Sequence, residues 1–261
     1  MTRETRIETP SSSGSSPVTV RFDEGRHARA RLGFILLATE QTIEDDMFRL
    51  APPGVGVHFT RVWIPNKITV ETLSAVKGEL EAAAALLLPD GGLNVVCYAC
   101  TSGSLVIGEK RVIEELSRGA PKARATTLIT GVVRALRTLQ ARRIVVATPY
   151  LEEINALERR YLQGQGFEIL DIRGMNIIKD TDMVRVAPEF IMEYARSLDR
   201  PDADAIFVSC GALRTLDIID DLEREVGKPV VASNQAMFWD SLRLAGIEDA
   251  IEGYGVLLRM Y

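Results

Sequence analysis

Short apolar runs alternate with longer amphipathic stretches from Arg31 to the end of the chain. Continuous β-branched apolar runs predict strands buried on both faces, and an apolar period of about 3.6 residues predicts helices. The predicted strands span 32–38, 55–63, 93–98, 123–128, 143–147, 167–172, 205–209 and 229–233. The predicted helices span 42–50, 70–88, 104–119, 130–140, 151–164, 182–198, 213–227 and 237–246. Pro188 falls inside one helical stretch, so that helix is expected to kink or start there.

Two landmarks recur along the chain at nearly the same offset. The strand end at 35–39 resembles the one at 144–148, with threonines 109 positions apart, and the strand end at 95–100 resembles 205–210, with cysteines 110 apart. Eight strand–helix units are compatible with a closed barrel, but the repeat favours two halves of four strands. We therefore predict an α/β fold of two similar Rossmann-like halves, each a four-stranded parallel sheet flanked by helices, with ligand at the carboxyl ends of the strands.

Composition removes several classes of function. The 261 residues carry 31 basic and 36 acidic side chains, a formal net charge of −5, which argues against nucleic acid or an anionic membrane as partner. Three cysteines do not make a disulfide framework and fit a cytoplasmic location. No run is apolar enough for a secretory signal or a membrane span. Residues 1–25 include a Ser/Gly run and are expected to form a flexible tail.

Cys100 and Cys210 carry the strongest chemical signal. Each ends an apolar strand and is followed by small polar residues and a helical pattern. A helix N-terminus presents free N–H groups, which lower the pKa of a thiol and can hold a carboxylate. The alternative is that both are small buried apolar residues. Cys97 and Cys100 form a lone C-x-x-C without a second pair or a nearby histidine, so we interpret Cys97 as a core residue and predict no metal site.

Polar residues at the other repeated strand ends are candidates for substrate binding. Thr39, Thr148 and Tyr150 can donate hydrogen bonds to a carboxylate or a developing enolate, although threonines also cap helices at such junctions. Glu40 follows Thr39 and could accept a hydrogen bond from a substrate ammonium group, or it could be a solvated loop residue.

The motifs around these residues resemble a known family. The stretches 143–170 and 207–246 resemble arylmalonate decarboxylases and maleate cis–trans isomerases, of the cofactor-independent aspartate/glutamate racemase superfamily. The stretches 32–46 and 97–112 are similar to the ectoine-utilisation branch. The resemblance covers residues 30–261. It implies a first half at 26–128, completed by 236–261, and a second half at 129–235, related by a pseudo-two-fold axis. It also implies a homodimer or larger homo-oligomer and no cofactor.

The resemblance also implies roles for individual residues. Cys100 and Cys210 match the paired cysteines, and the residues that match the carboxylate pocket are Thr101, Ser102, Tyr150, Gly211 and its neighbour Ala212. Decarboxylases of the family have glycine where this chain has Cys100, and maleate isomerases have asparagine where Glu40 falls.

We therefore expect a two-cysteine racemase or epimerase acting next to a carboxylate. Its substrate is expected to be a small carboxylate or an amino-acid-like molecule, in particular an ectoine-derived diaminobutyrate. The alternatives are a maleate-type cis–trans isomerase, an arylmalonate-type decarboxylase and a non-catalytic metabolite-binding protein.

Overall fold

A two-stranded antiparallel sheet opens the chain. The structure is a computed structural model that describes residues 3–6, 19–89 and 92–261. Strand β1 (Arg3–Arg6) pairs with β2 (Thr19–Phe22). Both lie in the segment predicted to be a flexible tail, so that prediction misses a strand pair; residues 7–18 of the tail lie outside the described residues.

Eight further strands form two parallel four-stranded sheets, as the repeat predicts. The strands of the first sheet are β3 (Ala30–Leu37), β4 (Val55–Val62), β5 (Val95–Tyr98) and β6 (Arg124–Thr127). Those of the second are β7 (Arg143–Thr148), β8 (Glu168–Gly174), β9 (Ala205–Val208) and β10 (Val230–Ala232). The orders are β4-β3-β5-β6 and β8-β7-β9-β10, which is one arrangement used twice. The inner strands are buried on both faces, which explains their continuous apolar sequence.

Helices connect the strands and cover the sheets. The helices are α1 (Ile43–Leu50), α2 (Val70–Ala75), α3 (Leu80–Ala85), α4 (Thr101–Ile107), α5 (Glu109–Gly119), α6 (Leu128–Thr138), α7 (Glu152–Gly164), α8 (Asp180–Met183), α9 (Pro188–Ser197), α10 (Ile219–Val226), α11 (Ser233–Leu244) and α12 (Gly255–Met260). Within the described part of the chain, none is long and apolar enough to cross a membrane.

Several predicted helices are shorter or divided. The predicted helix 70–88 is two helices separated by a turn at Gly78, and the predicted helix 104–119 is two helices that meet at Gly108. Both glycines have a positive φ, 92° and 94°, which ends a right-handed helix. The predicted helix 213–227 begins only at Ile219. Pro188 is the first residue of α9, as its fixed φ predicts.

Each half extends one helix across the seam, the surface where the two halves meet. These two helices, α6 and α11, are called the exchanged helices below. Helix α6 follows the first sheet and contacts β10 of the second as well as β6 of the first, and α11 follows the second sheet and contacts β5 and β6 of the first as well as β10 of the second. The exchanged helices pack against each other, and Asp240 on α11 accepts hydrogen bonds from Thr126 and Arg134, both at 2.8 Å. Within the segment 236–261, which we expected to complete the first half, α11 contacts β5 and β6 of that half, whereas α12 contacts α11 and also α10 and β10 of the second half.

Gly131 permits the close approach of the exchanged helices, because a Cβ there would lie 2.9 Å from the Ala236 carbonyl oxygen. We predict that Gly131→Ala lowers the free energy of unfolding by about 1–3 kcal/mol through overpacking. The matched control is Gly164→Ala on α7, where a Cβ meets no atom within 4 Å. Because Gly164 is the last residue of α7, that variant should leave the free energy of unfolding unchanged or raise it by at most about 0.5 kcal/mol through helix propensity. Urea unfolding measures both, and an equal gain in the two variants would contradict the tight seam.

Candidate active site

One cavity lies where the carboxyl ends of the two sheets meet. The loops after β3, β5, β7 and β9 all reach it, which is the usual position of a ligand site in parallel α/β sheets. Its volume is about 20 Å³, close to the space that one water molecule needs. The described residues that line it are Leu37, Glu40, Ile68, Ala99, Cys100, Thr101, Ser102, Tyr150, Asp180, Met183, Cys210, Gly211 and Ala212.

Two loops that occupy equivalent places in the halves cover this cavity. The loop after β4 meets the loop after β8, where the Ile68 N–H donates to the Ile178 carbonyl oxygen at 2.9 Å. The Asn66 side-chain amide donates to the Thr181 hydroxyl at 2.7 Å and accepts from its N–H at 3.0 Å. These contacts place Ile68 and Asp180 among the residues that line the cavity together with the two cysteines.

Eight of the ten residues predicted for the site line the cavity, and two stand behind it. The eight are Glu40, Cys100, Thr101, Ser102, Tyr150, Cys210, Gly211 and Ala212. Thr39 and Thr148 are not among the lining residues. Each of them instead forms a hydrogen bond with a residue that lines the cavity. The Thr39 hydroxyl donates to Asp180, and the Thr148 hydroxyl accepts from the Tyr150 N–H.

Cys100 caps the N-terminus of α4, as its sequence context predicts. Its Sγ accepts a hydrogen bond from the Gly103 N–H at 3.2 Å, and the Ser102 hydroxyl lies 3.7 Å from it. The expected fall in thiol pKa does not follow. Burial is the largest influence and raises the pKa of Cys100 to about 11, although the Gly103 and Ser102 donors oppose it.

Cys210 does not cap a helix, because α10 begins nine positions later, at Ile219. It is a non-glycine residue with φ at 106°, a strained conformation that surrounding contacts must hold. The Ser233 hydroxyl accepts from the Cys210 N–H at 2.9 Å, and the Asn234 side chain donates to the Gly211 carbonyl oxygen at 2.8 Å. Burial, and then the charge of Asp180, raise the pKa of the Cys210 thiol well above its usual range.

A hydrogen-bonded path connects the two cysteine loops across the seam. The Thr101 hydroxyl, next to Cys100, lies 3.1 Å from the hydroxyl of Ser233, and Ser233 in turn accepts the Cys210 N–H. Ser233 is the first residue of the exchanged helix α11. The positions of the two thiols are therefore tied to each other through this helix.

Tyr150 is buried next to both thiols. Its hydroxyl interacts with Cys210, and burial together with the charges of Cys210 and Glu158 raises its pKa well above the usual range. The tyrosine therefore stays protonated and can donate a hydrogen bond. Thr148 fixes its backbone, since the threonine hydroxyl accepts the Tyr150 N–H at 3.1 Å and donates to Asn155 at 2.6 Å.

Two buried carboxyl groups share the cavity with the thiols. Glu40 Oε1 accepts backbone N–H groups at the start of α1, including that of Ile43 at 3.0 Å. Asp180 Oδ2 accepts the Thr39 hydroxyl at 2.5 Å. Burial raises the pKa of both carboxyl groups, and no Lys or Arg is among the described residues that line the cavity. The cavity therefore holds two carboxyl groups that burial shifts towards the neutral form, and a bound cation would favour their ionised form.

Sequence reasoning missed Asp180. It is the first residue of the short helix α8, which follows the loop after β8, in a run of charged residues where the sequence predicted no helix until 182. Its place over the thiols depends on the contact between the β4 and β8 loops. The available signal was the repeat itself, which makes these two loops equivalent. Within the described residues, no group of three or more His, Cys, Asp or Glu side chains could hold a metal ion.

The charge of Asp180 raises the pKa of both cysteines. We predict that Asp180→Asn increases their alkylation by iodoacetamide at pH 8.5 about threefold to tenfold, since a pKa lower by about 0.5–1 gives that much more thiolate. Mass spectrometry of each cysteine measures the rates. Asp182→Asn, at an exposed position two residues further on, is the control and should change neither rate. The substitution should increase the alkylation rate with the anionic reagent iodoacetate more than the rate with neutral iodoacetamide, because the Asp180 carboxylate repels an anion. Equal gains for the two reagents would indicate easier access and contradict the charge effect.

Comparison with known proteins identifies relatives along most of the chain. Residues 63–258 match the family described as arylmalonate decarboxylase. A maleate isomerase of Nocardia farcinica (strain IFM 10152) is 30% identical over 241 residues, which cover 88% of this chain and 95% of that protein. An arylmalonate decarboxylase of Bordetella bronchiseptica is 38% identical over 135 residues, which cover 51% of this chain and 56% of that protein.

Solved structures agree with these relatives. A cysteine-to-serine mutant of the Nocardia farcinica maleate cis–trans isomerase, with a covalently bound succinylcysteine intermediate, matches with a TM-score of 0.82 at 28% identity, covering 89% of this chain and 99% of that one. A crystal structure of arylmalonate decarboxylase matches with a TM-score of 0.74 at 29% identity, and the match covers 87% of this chain and 98% of that one. With most of its length matched by the family, this chain belongs to the arylmalonate decarboxylase family, together with maleate isomerases.

Proposed function

We propose that this protein is an isomerase without a cofactor, which inverts a carbon next to a carboxylate by means of Cys100 and Cys210. The observation that carries the proposal is that one thiol from each half lines a single cavity, with the Tyr150 hydroxyl beside them. Thiols contributed by the two halves can serve opposite faces of one substrate carbon. General acid–base transfer of this kind contributes about 10²–10⁴-fold to a rate.

In the proposed reaction one thiolate removes the α-proton, and the electron pair moves onto the carboxylate to give an enediolate. The opposite thiol then donates its proton to the other face of the same carbon. One proton leaves the substrate and one returns, so no oxidant or reductant is needed. Tyr150, the hydroxyl groups of Thr101 and Ser102, and backbone N–H groups near Gly211 would donate hydrogen bonds to the enediolate oxygens.

The acidic cavity supports a substrate that carries an ammonium group as well as a carboxylate. In their ionised forms Glu40 and Asp180 would repel a second carboxylate, and a substrate cation would favour these ionised forms over the neutral forms that burial favours. A bound ammonium group would also offset the Asp180 charge that raises the pKa of both thiols, so substrate binding itself would help to form the thiolate. An ectoine-derived diaminobutyrate has these groups, and the resemblance to the ectoine-utilisation branch favours it.

A maleate-type cis–trans isomerase is the second candidate. The 30% identical relative is a maleate isomerase, and the solved structure of that enzyme's mutant contains a succinylcysteine. In this reaction a thiolate adds to one carbon of the double bond, the central bond rotates, and the thiolate leaves to restore the double bond in the trans form. Cys100, with its donors from α4, would be the attacking thiol. An arylmalonate-type decarboxylase and a non-catalytic metabolite-binding protein remain further alternatives.

Incubation in D₂O separates these functions. We predict that each enantiomer of 2,4-diaminobutyrate gains α-deuterium and loses optical purity, and that Cys100→Ala and Cys210→Ala each slow this by at least about 100-fold. Cys97→Ala is the matched control, because Cys97 is fully buried in the core. Proton NMR and chiral chromatography follow the reaction. Formation of fumarate from maleate in a parallel sample, without α-deuterium in the amino acid, would replace the racemase with the isomerase. Unchanged exchange in either active-site variant would overturn the two-thiol mechanism.

A further inference from the structure

The Tyr98 hydroxyl is a buried polar group that the mechanism above does not use. Tyr98 ends strand β5, two residues before Cys100, and its side chain is fully buried. Within the described residues its hydroxyl has no hydrogen-bond partner of ordinary geometry. Native structures pair nearly all such groups, because an unpaired buried hydroxyl reduces stability. An exception next to a reactive residue therefore requires an explanation.

The hydroxyl lies against the first turn of α4, where Cys100 receives its hydrogen bonds. A Cβ at position 103 would lie 2.3 Å from the Tyr98 oxygen, so glycine at 103 is what admits the hydroxyl. The Gly103 N–H is the group that donates to Cys100 Sγ. The tyrosine hydroxyl, this amide and the Ser102 hydroxyl thus surround one sulfur atom.

The titratable groups that line the cavity together with this sulfur are Glu40, Tyr150, Asp180 and Cys210. Asp180, from the loop after β8, opposes ionisation of Cys100, and the Tyr98 hydroxyl favours it. Tyr150, from the loop after β7, also lies within the field of the Cys100 thiolate. Burial and the neighbouring thiol raise the pKa of Tyr98 itself well above its usual range, so the phenol keeps its proton and remains a donor.

We propose that Tyr98 is a positioning residue whose hydroxyl turns to Cys100 Sγ when the thiol ionises, and completes a three-donor pocket for the thiolate with Gly103 N–H and the Ser102 hydroxyl. In the neutral thiol the sulfur is only a weak acceptor for this hydroxyl. In the thiolate it gains a charge-assisted hydrogen bond. The Tyr98 hydroxyl is thus a donor that stabilises the ionised form of Cys100 more than its neutral form. The proposal rests on the proposed function only in taking Cys100 as a reacting thiol.

The test compares alkylation of the two cysteines in Tyr98→Phe, which keeps the ring and removes the hydroxyl. Because Cys100 and Cys210 share a cavity, the ratio of their iodoacetamide rates cancels changes in access. At each pH between 7.5 and 9, we expect the ratio of the Cys100 rate to the Cys210 rate to be about tenfold lower in Tyr98→Phe than in the wild type. A Cys100 pKa that is higher by about one has this effect. Tyr161→Phe is the control: its hydroxyl donates to Glu109 at 2.8 Å, away from the thiols, and its loss should leave the ratio unchanged.

A second variant guards against a folding defect in the first. Gly103→Ala places a Cβ against the Tyr98 oxygen and should displace the hydroxyl, lowering the same ratio with the tyrosine still present. An unchanged Cys100 to Cys210 ratio in Tyr98→Phe that unfolds at the wild-type temperature would overturn the proposal. Alkylation needs no substrate, so failure of the D₂O experiment leaves this test intact. A negative result here likewise leaves the racemase proposal standing.

Discussion

Removal of two thiols from water is the constraint on which the site depends. Burial raises the pKa of Cys100 and Cys210, and the carboxyl group of Asp180 raises both further. A thiol in this state is a poor base and a poor nucleophile. The cavity must therefore supply donors or a cation at the moment of reaction. The hydroxyl groups and backbone N–H groups around each sulfur are the donors, and a charged substrate is the missing cation. The charge of the substrate would therefore affect both its own binding and the ionisation of the thiols.

The exchanged helices make the site a property of the whole fold. Cys210 is held at a positive φ by Ser233 and Asn234, the first residues of α11, and α11 packs on the first half. Ser233 also contacts Thr101 beside the other cysteine. Strain at Cys210 is thus supported by contacts across the seam. The site therefore depends on contacts between the two halves, because Ser233 of the second half contacts both cysteine loops.

The sequence predicts most of this architecture because its strands are continuous apolar runs and its two halves repeat. The same repeat singles out Cys100 and Cys210, and eight of ten candidate residues line the cavity. The errors have a common origin in tertiary structure. Helix breaks at Gly78 and Gly108 depend on positive φ values that a periodic pattern does not reveal. Asp180 joins the site through a contact between distant loops, and the sign of the thiol pKa shift depends on burial, which outweighs the local helix terminus.

Calorimetric titration with two ligands of similar size tests the central claim, that an acidic cavity selects a substrate bearing an ammonium group. The titrants are 2,4-diaminobutyrate and succinate, applied to the native chain and to Asp180→Asn. We predict that the native chain binds diaminobutyrate more tightly than succinate, and that the substitution narrows or reverses this preference because it removes a carboxyl group that can ionise beside a bound cation. Tighter binding of succinate by the native chain, with no response to the substitution, would contradict it.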